Sequence, residues 1–301
     1  MLRTYSEIFE AVKANARKCT VSIALAEDKS ALEAAKVLAE NEVAKVLLTG
    51  EPDKIRLYAE QIGYPIKDKE IVAAFGEEEA AARAVEQVRL GKAEILMKGH
   101  TSTPVLMKAV LDRENGLRTG KVLSHVAVAE IASYHKLLMI TDGGINIAPD
   151  LETKKAILRN AIGVADKLEI TQPKIAVLCP IEKVNPKIPE TVDARALQEM
   201  AERGEFGSVI VEGPIATDVA LSARAAQRKA LTSRIAGDTD VILVPGLTCG
   251  NSLLKSLMFL ANAKVGGVVI GARVPIVLLS RADEPAEKLN SMLLAILVSI
   301  K

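Results

Sequence analysis

Ser280 and Arg281 stand side by side directly after the apolar run Pro275-Ile276-Val277-Leu278-Leu279, with Ala282 and Asp283 behind them and a helical pattern over residues 285–300. The run reads as a strand, so a hydroxyl and a guanidinium emerge together at its carboxyl end, where an open α/β sheet exposes its crevice. Arginine offers a rigid fork of donors for an anion such as phosphate, and serine gives or takes one hydrogen bond. Glu287, two positions past Pro285, falls on the first turn of the helix and is close enough to face the same crevice. A carboxylate base, an anion clamp and a polar positioner so near one another point to group transfer on a phosphate-bearing substrate. A helix cap with a surface ion pair uses the same residue types, and the residues by themselves leave both readings open.

Other junctions between an apolar run and a helical pattern carry polar groups of the same kind. Lys98-Gly99-His100-Thr101-Ser102-Thr103-Pro104 is rich in donors. Backbone N–H groups at a helix start attract anions, to which Lys98 or His100 would add charge; an ordinary capped helix has the same composition. Lys108 lies four residues into that helix, where a solvated lysine is the usual occupant. Gly116-Leu117-Arg118 and Lys121-Val122-Leu123-Ser124-His125 bring Arg118, Lys121, Ser124 and His125 beside a strand, and a histidine there is more often a hydrogen-bonded core residue than a base. Pro245-Gly246-Leu247-Thr248-Cys249-Gly250-Asn251 follows the apolar run 241–244 and reads as a phosphate cradle opening a helix at 252. Asn251 would be cap or ligand donor there, with Lys255 reaching back. It is neither a Walker A loop nor a Gly-x-Gly-x-x-Gly fingerprint, so a nicotinamide site has little support.

Composition removes several classes. Lys and Arg number 39 against 38 Asp and Glu, a balance without a nucleic-acid footprint or a polybasic membrane patch. Tryptophan is absent, which argues against base-stacking platforms. Cys19, Cys179 and Cys249 are scattered, matching neither a disulfide framework nor paired zinc-ligand spacing, and are expected to be packing residues. No run approaches the ~18 apolar residues of a spanning helix, and Met1 to Glu7 lacks an apolar signal core, so a reducing cytoplasm is the expected setting.

At 301 residues, about two domains are expected. Strand-like runs at 21–26, 45–49, 70–75 and 95–97 alternate with helical patterns at 30–40, 53–62, 77–90 and 105–112. The first helix looks capped by the pair Ser30 and Glu33. This alternation predicts a mostly parallel sheet covered on both faces. Residues 122–131 and 137–141 are both strand-like with too few residues between them for a crossover, which predicts an antiparallel pair. After the 142–149 loop and a helix over 151–168 the alternation resumes, with helices expected at 192–203, 219–231 and 252–263. A boundary is expected near Asp142, with the last strand and helix returning to the first domain.

Taken together, these stretches resemble the phosphate acyltransferase family, most closely its butyryl branch. The resemblance is carried by Met97-Lys98-Gly99, Thr103-Pro104-Val105-Leu106-Met107-Lys108, Gly116-Leu117-Arg118, Val122-Leu123-Ser124-His125, Asn146-Ile147-Ala148-Pro149, Val184-Asn185-Pro186-Lys187, Gly213-Pro214, Gly250-Asn251-Ser252-Leu253-Leu254-Lys255 and Ser280-Arg281-Ala282-Asp283. It implies a two-domain α/β/α fold like that of the isocitrate and isopropylmalate dehydrogenases, with an active cleft between residues 1–141 plus 275–301 and residues 142–274. It implies an acyltransferase that moves an acyl group reversibly between coenzyme A and inorganic phosphate, without a resident cofactor or metal. Its partners would be acyl-CoA and phosphate, with no nucleic acid or membrane, and at least a homodimer is expected.

The family's catalytic Ser-Arg pair carries over to Ser280 and Arg281. Glu287 occupies the position of an acidic base toward the thiol, which is Asp in the acetyl branch. Gly250, Asn251 and Lys255 map onto the stretch that lines the phosphate or pantetheine region. Lys108 replaces an Arg expected to meet coenzyme A phosphates, keeping the charge and losing the bidentate fork. Lys98, Thr103 and Arg118 join these expected substrate contacts. A phosphate acetyltransferase differs only in acyl-pocket depth. A metal- and NAD-dependent decarboxylating dehydrogenase of this fold needs clustered Asp ligands, and Asp142, Asp218, Asp238 and Asp240 have no such spacing. A non-catalytic CoA-binding protein would not need the intact Ser280-Arg281 pair.

Overall fold

The computed structural model describes residues 1–279 and 283–300. The chain opens with α1 (Tyr5–Ala14), then alternates β1 (Thr20–Ala24), α2 (Lys29–Glu40), β2 (Lys45–Gly50), α3 (Pro52–Gln61), β3 (Ile71–Ala73), α4 (Glu77–Arg89), β4 (Ile95–Lys98) and α5 (Thr103–Val110). β1 is buried from Val21 to Ala24, as expected of a parallel strand covered on both faces, and it runs parallel to β2 and β4 on either side. β3 extends the same parallel order beyond β2.

The cap of α2 differs from the expected Ser30–Glu33 pair. Asp28 precedes the helix in an extended conformation, and its Oδ1 accepts from the Ser30 and Ala31 N–H groups at 2.9 and 3.3 Å. A short carboxylate one residue before the helix reaches those orphan donors, whereas Ser30 is already inside the first turn.

The next segment contains β5 (Ser124–Glu130), β6 (Leu138–Thr141), α6 (Leu151–Lys167), β7 (Lys174–Leu178), α7 (Pro189–Glu202), β8 (Ile210–Ile215), α8 (Thr217–Leu221), α9 (Ala223–Arg228), β9 (Val241–Leu243) and α10 (Leu247–Ala261). β5 and β6 form the expected antiparallel pair. β6 then pairs parallel with β9, β9 with β7 and β7 with β8, giving the order β5-β6-β9-β7-β8. The single helix expected over 219–231 is broken at Ser222. The Ala220 carbonyl accepts from the Gly237 N–H and the Thr239 hydroxyl, at 3.1 and 2.7 Å, and these bonds from a later segment replace the helical ladder. Ser222 then caps α9 through Ala225 N at 3.3 Å.

The chain finally adds β10 (Lys264–Ile270), β11 (Ile276–Val277) and α11 (Pro285–Ser299) to the first group, whose order is β3-β2-β1-β4-β11-β10. Two compact units result: Tyr5–Lys121 with Lys264–Lys301, the first unit below, and Val122–Ala263 with Met1–Thr4, the second. The division therefore falls at Val122 and Lys264, rather than at Asp142 and Pro275. The hairpin β5–β6 goes with the second unit because β6 bonds to β9, and β10 goes with the first because it pairs with β11. α11 is core: Met292, Leu293, Leu294, Ala295 and Ile296 are all buried. It lies so close to β10 that a Cβ on Gly266 would sit 2.7 Å from the Asn290 carbonyl carbon.

Candidate active site

Within the first unit, β1, β4 and β11 are adjacent and parallel, with Ile276 beside Leu96 and Val277 beside Met97. Their carboxyl ends therefore open at the same end of the sheet, and α2, α5 and α11 begin beyond them. Ser280 and Arg281 lie outside the described residues, in the link from β11 to α11.

Glu287 is half-buried on the first turn of α11, and its Oε2 is shielded from solvent with no hydrogen-bond partner among the described residues. Its backbone carbonyl accepts from Ser291 Oγ at 2.8 Å, and the same hydroxyl accepts from Gly267 N in β10 at 2.9 Å. Beside it, Lys288 is 2% exposed and donates to Asp28 Oδ2 at 2.8 Å and to the Ser30 hydroxyl. Burial alone would raise the Asp28 pKa. The hydrogen bond and charge of Lys288, with the Ala31 N–H and the Ser30 hydroxyl, outweigh it and hold the carboxyl below its usual range.

Lys98 ends β4 with its side chain buried, Nζ donating to the Thr101 carbonyl at 3.2 Å. Gly99 next to it cannot be anything larger, since a Cβ would lie 2.4 Å from the Leu25 carbonyl oxygen and 2.8 Å from that of Ala24. Thr101, quoted in the sequence only within that donor-rich stretch, is fully buried, and its Oγ1 has no hydrogen-bond partner among the described residues. Thr103 and Lys108 are exposed on α5. Lys108 borders a cavity of about 340 Å³ with Glu78, Val85, Val105 and Asp112, so its charge stands among carboxylates rather than in a cationic patch. Arg118 is exposed and follows Leu117, whose N–H bonds to Val110 O and whose carbonyl accepts from Arg273 N.

In the second unit, Gly250, Asn251 and Lys255 lie on α10, not in a loop before it. The helix begins at Leu247 with Gly246 as its cap, so Asn251 is an exposed helical residue and not the cap. Asn251 and half-buried Lys255 share one face at i, i+4 spacing. Gly250 is the contact between helix and loop: a Cβ would lie 2.7 Å from Gly143 Cα, 2.9 Å from Val244 Cγ2 and 3.0 Å from the Asp142 carbonyl oxygen.

That loop is organised by Asp142, which is 1% exposed. Oδ1 accepts from Gly144 and Ile145 N–H at 2.8 and 2.9 Å, and Oδ2 from the Asn146 side-chain amide at 2.6 Å. An Asp opening a Gly-Gly turn is a recognisable Asx signal, which would have identified it as a structural residue. At the amino end of α10 lies a cavity of about 450 Å³ lined by Pro149, Lys154, Asp193, Gly246, Thr248 and Cys249.

The carboxylates weighed as metal ligands are engaged otherwise. Asp218 pairs with Lys229 at 3.0 Å, Asp240 with Lys136 at 2.7 Å, and Asp238 with Lys136, Lys174 and His135. Among the described residues no group of three His, Cys, Asp or Glu is placed to hold a metal ion. Burial, helped by the nearby Glu190 charge, pushes the Cys179 thiol up to about 12, and burial raises that of Cys249 as well. Both stay protonated at neutral pH, which is unsuited to a nucleophile.

Residues 67–296 match the family described as "Phosphate acetyl/butaryl transferase". The chain belongs to that family. Membership makes it an acyltransferase. It is 41% identical over 299 residues to the phosphate butyryltransferase of Clostridium acetobutylicum, covering 99% of each chain. A branched-chain phosphotransacylase from Enterococcus faecalis V583 superposes with a TM-score of 0.81 at 33% identity, over 93% of this chain and 99% of that one. A putative 4-hydroxythreonine-4-phosphate dehydrogenase from Salmonella typhimurium, 12% identical with a TM-score of 0.56 over 94% of this chain and 100% of the other, shares the fold alone. The dehydrogenase-like α/β architecture thus extends to this family member.

Proposed function

We propose that this family member is a phosphate butyryltransferase, transferring the acyl group of butyryl-CoA or a related short-chain acyl-CoA reversibly to inorganic phosphate. The observation that carries the reading is similarity at 41% identity, over 99% of both chains, to an enzyme named for that reaction. The likeness at 33% identity to a branched-chain phosphotransacylase favours four-carbon and branched acyl groups over acetyl.

The chemistry is assigned as follows. A phosphate oxygen attacks the thioester carbonyl carbon, a tetrahedral oxyanion forms, and its collapse breaks the C–S bond and releases CoA as thiolate. Arg281 clamps the phosphate, so that attack is effectively intramolecular. Ser280 and backbone N–H groups meet the oxyanion. In the reverse direction the Glu287 carboxylate takes the thiol proton as CoA attacks the acyl phosphate; in the forward direction the proton lost by the attacking hydrogen phosphate passes by way of that carboxylate to the CoA thiolate. Its half-buried carboxylate, with a shielded Oε2 that has no hydrogen-bond partner among the described residues, supports that role. The protonated thiols support direct transfer without an acyl-enzyme. Lys98, Thr103, Lys108 and Arg118 are assigned to substrate binding, as are Asn251 and Lys255, while Gly250 acts through the backbone approach it permits.

A homo-oligomer, at least a dimer, is part of the proposal. α10 is an apolar helix of fifteen residues of which Gly250 and Leu254 are buried, leaving Phe259 76% and Leu260 84% exposed. Faces of that kind are covered in assemblies. Among the described residues no helix is long and apolar enough to cross a membrane, and a reducing cytoplasm suits three free thiols.

The test supplies acyl phosphate and CoA and follows thioester formation with acetyl, butyryl and isobutyryl phosphates. Highest kcat/KM with the four-carbon substrates is expected. Preference for acetyl phosphate would move the protein to the acetyl branch, and no thioester from any of them would end the reading.

A further inference from the structure

Glu284, the cap residue of α11, makes no side-chain hydrogen bond to the helix. The helix also carries a lysine, Lys288, in its first turns, where the helix dipole disfavours a cation. That lysine is 2% exposed, and its Nζ reaches across to Asp28 Oδ2 at 2.8 Å and to the Ser30 hydroxyl. Asp28 is itself the cap of α2, accepting from the Ser30 and Ala31 N–H groups. One buried contact therefore ties the starts of two helices together at the carboxyl ends of β1 and β11. The residue next to Lys288 is Glu287, whose backbone carbonyl is held from the other side by Ser291 bridging to Gly267 N.

We infer that Lys288 is a positioning residue for the acyl transfer: its buried pair with Asp28 fixes the first turn of α11 and thereby the place from which the Glu287 carboxylate meets the thiol. The inference rests on the assignment of Glu287 as proton acceptor. The pair holds geometry where Glu284 supplies no side-chain cap, and a displacement of the order of 1 Å at a reacting group costs about 10²-fold in rate. Lys288→Met is the informative change, because an apolar chain of similar length leaves no unpaired ammonium in the interior. Asp28 then still accepts from its own helix.

The experiment measures kcat and KM for CoA with butyryl phosphate in four variants, with thermal unfolding as a check of folding. Lys288→Met is expected to lower kcat by about 10²-fold with KM for CoA little changed. Lys288→Arg, which can restore the pair, should stay within about tenfold of wild type. Glu287→Gln should lose about 10²–10⁴-fold. The double variant E287Q/K288M should be no slower than Glu287→Gln alone, since a residue acting only through Glu287 has nothing left to position. Multiplying losses in the double variant, or a folded Lys288→Met with normal kcat, would overturn the inference. If Glu287→Gln itself retains wild-type kcat, the assignment of Glu287 fails first. Should Lys288→Met not fold, Asp28→Asn keeps a cap oxygen for α2 while removing the charge. It is expected to show the same kcat loss and the same absence of further loss beside Glu287→Gln; a normal kcat there counts equally against the inference.

Discussion

Gly250 and Gly163 give a paired test of the packing that carries Asn251 and Lys255. Both are helical glycines, in α10 and α6, and a Cβ meets opposite surroundings at the two positions. At Gly250 it would lie 2.7 Å from Gly143 Cα, 2.9 Å from Val244 Cγ2 and 3.0 Å from the Asp142 carbonyl oxygen, whereas at Gly163 nothing lies within 4 Å. Overfilling a close-packed site costs about 1–3 kcal/mol, and obstruction by backbone, which cannot rotate aside, places Gly250→Ala at about 2–3. Alanine recovers about 1 kcal/mol over glycine in a helix interior, leaving a net loss of about 1–2 kcal/mol. Gly163→Ala keeps the whole gain of about 1 kcal/mol. At about 2–4 °C per kcal/mol for a unit of this size, scanning calorimetry should find Gly250→Ala lowered by about 2–8 °C and Gly163→Ala raised by about 2–4 °C. Activity should fall with Gly250→Ala, because the 142–149 loop and the turn bearing Asn251 must part, and be unchanged with Gly163→Ala. Shifts of the same sign would refute the contact between α10 and that loop.

Arg281→Gln should lower turnover by about 10²–10³-fold while thermal unfolding is unchanged, and near-normal turnover would remove Arg281 from the reaction. Burial acts to raise the Asp238 pKa, but hydrogen bonds from Lys136, Lys174 and His135 prevail and hold it well below the usual carboxylate range. A folded-state pKa below the unfolded value contributes stability that is present above about pH 4 and is lost as pH falls through the folded value. Asp238→Asn should therefore destabilise at neutral pH and flatten the melting-temperature profile below about pH 4; an unchanged acid profile would contradict the cluster's role. Cys179→Ser with Cys249→Ser should retain near wild-type turnover, assayed as phosphate-dependent thiol release, because neither thiol forms an intermediate. Loss of activity in the folded double variant would point to a covalent step.

Strands buried on both faces were the most legible part of this sequence. β1 from Val21 to Ala24 and β4 throughout are buried, their residues largely apolar apart from Ser22 and the terminal Lys98, and parallel pairing leaves such strands no solvent face to vary. Helix limits were less legible because distant contacts set them. Ser222 breaks a segment of good helix formers because Gly237 and Thr239 take the Ala220 carbonyl. α10 starts before the glycine that seemed to belong to a loop, since Gly250 is required by Gly143, over a hundred positions earlier, and not by local propensity. The start of α11 and the Glu287 position could be read from Pro285 and the apolar pattern. Nothing in its local sequence singles out Lys288, whose partner Asp28 is 260 positions away. Asp142, which the sequence offers without the spacing of a metal ligand, has an oxygen on the N–H groups of its own turn.

The central claim, acyl transfer to phosphate, is tested most directly by release of CoA thiol from butyryl-CoA with and without inorganic phosphate, beside acetyl-CoA and isobutyryl-CoA. Release that requires phosphate, yields acyl phosphate in equal amount and is fastest with the four-carbon thioesters is the predicted result. Folded protein that releases no thiol in response to phosphate from any of the three would contradict it.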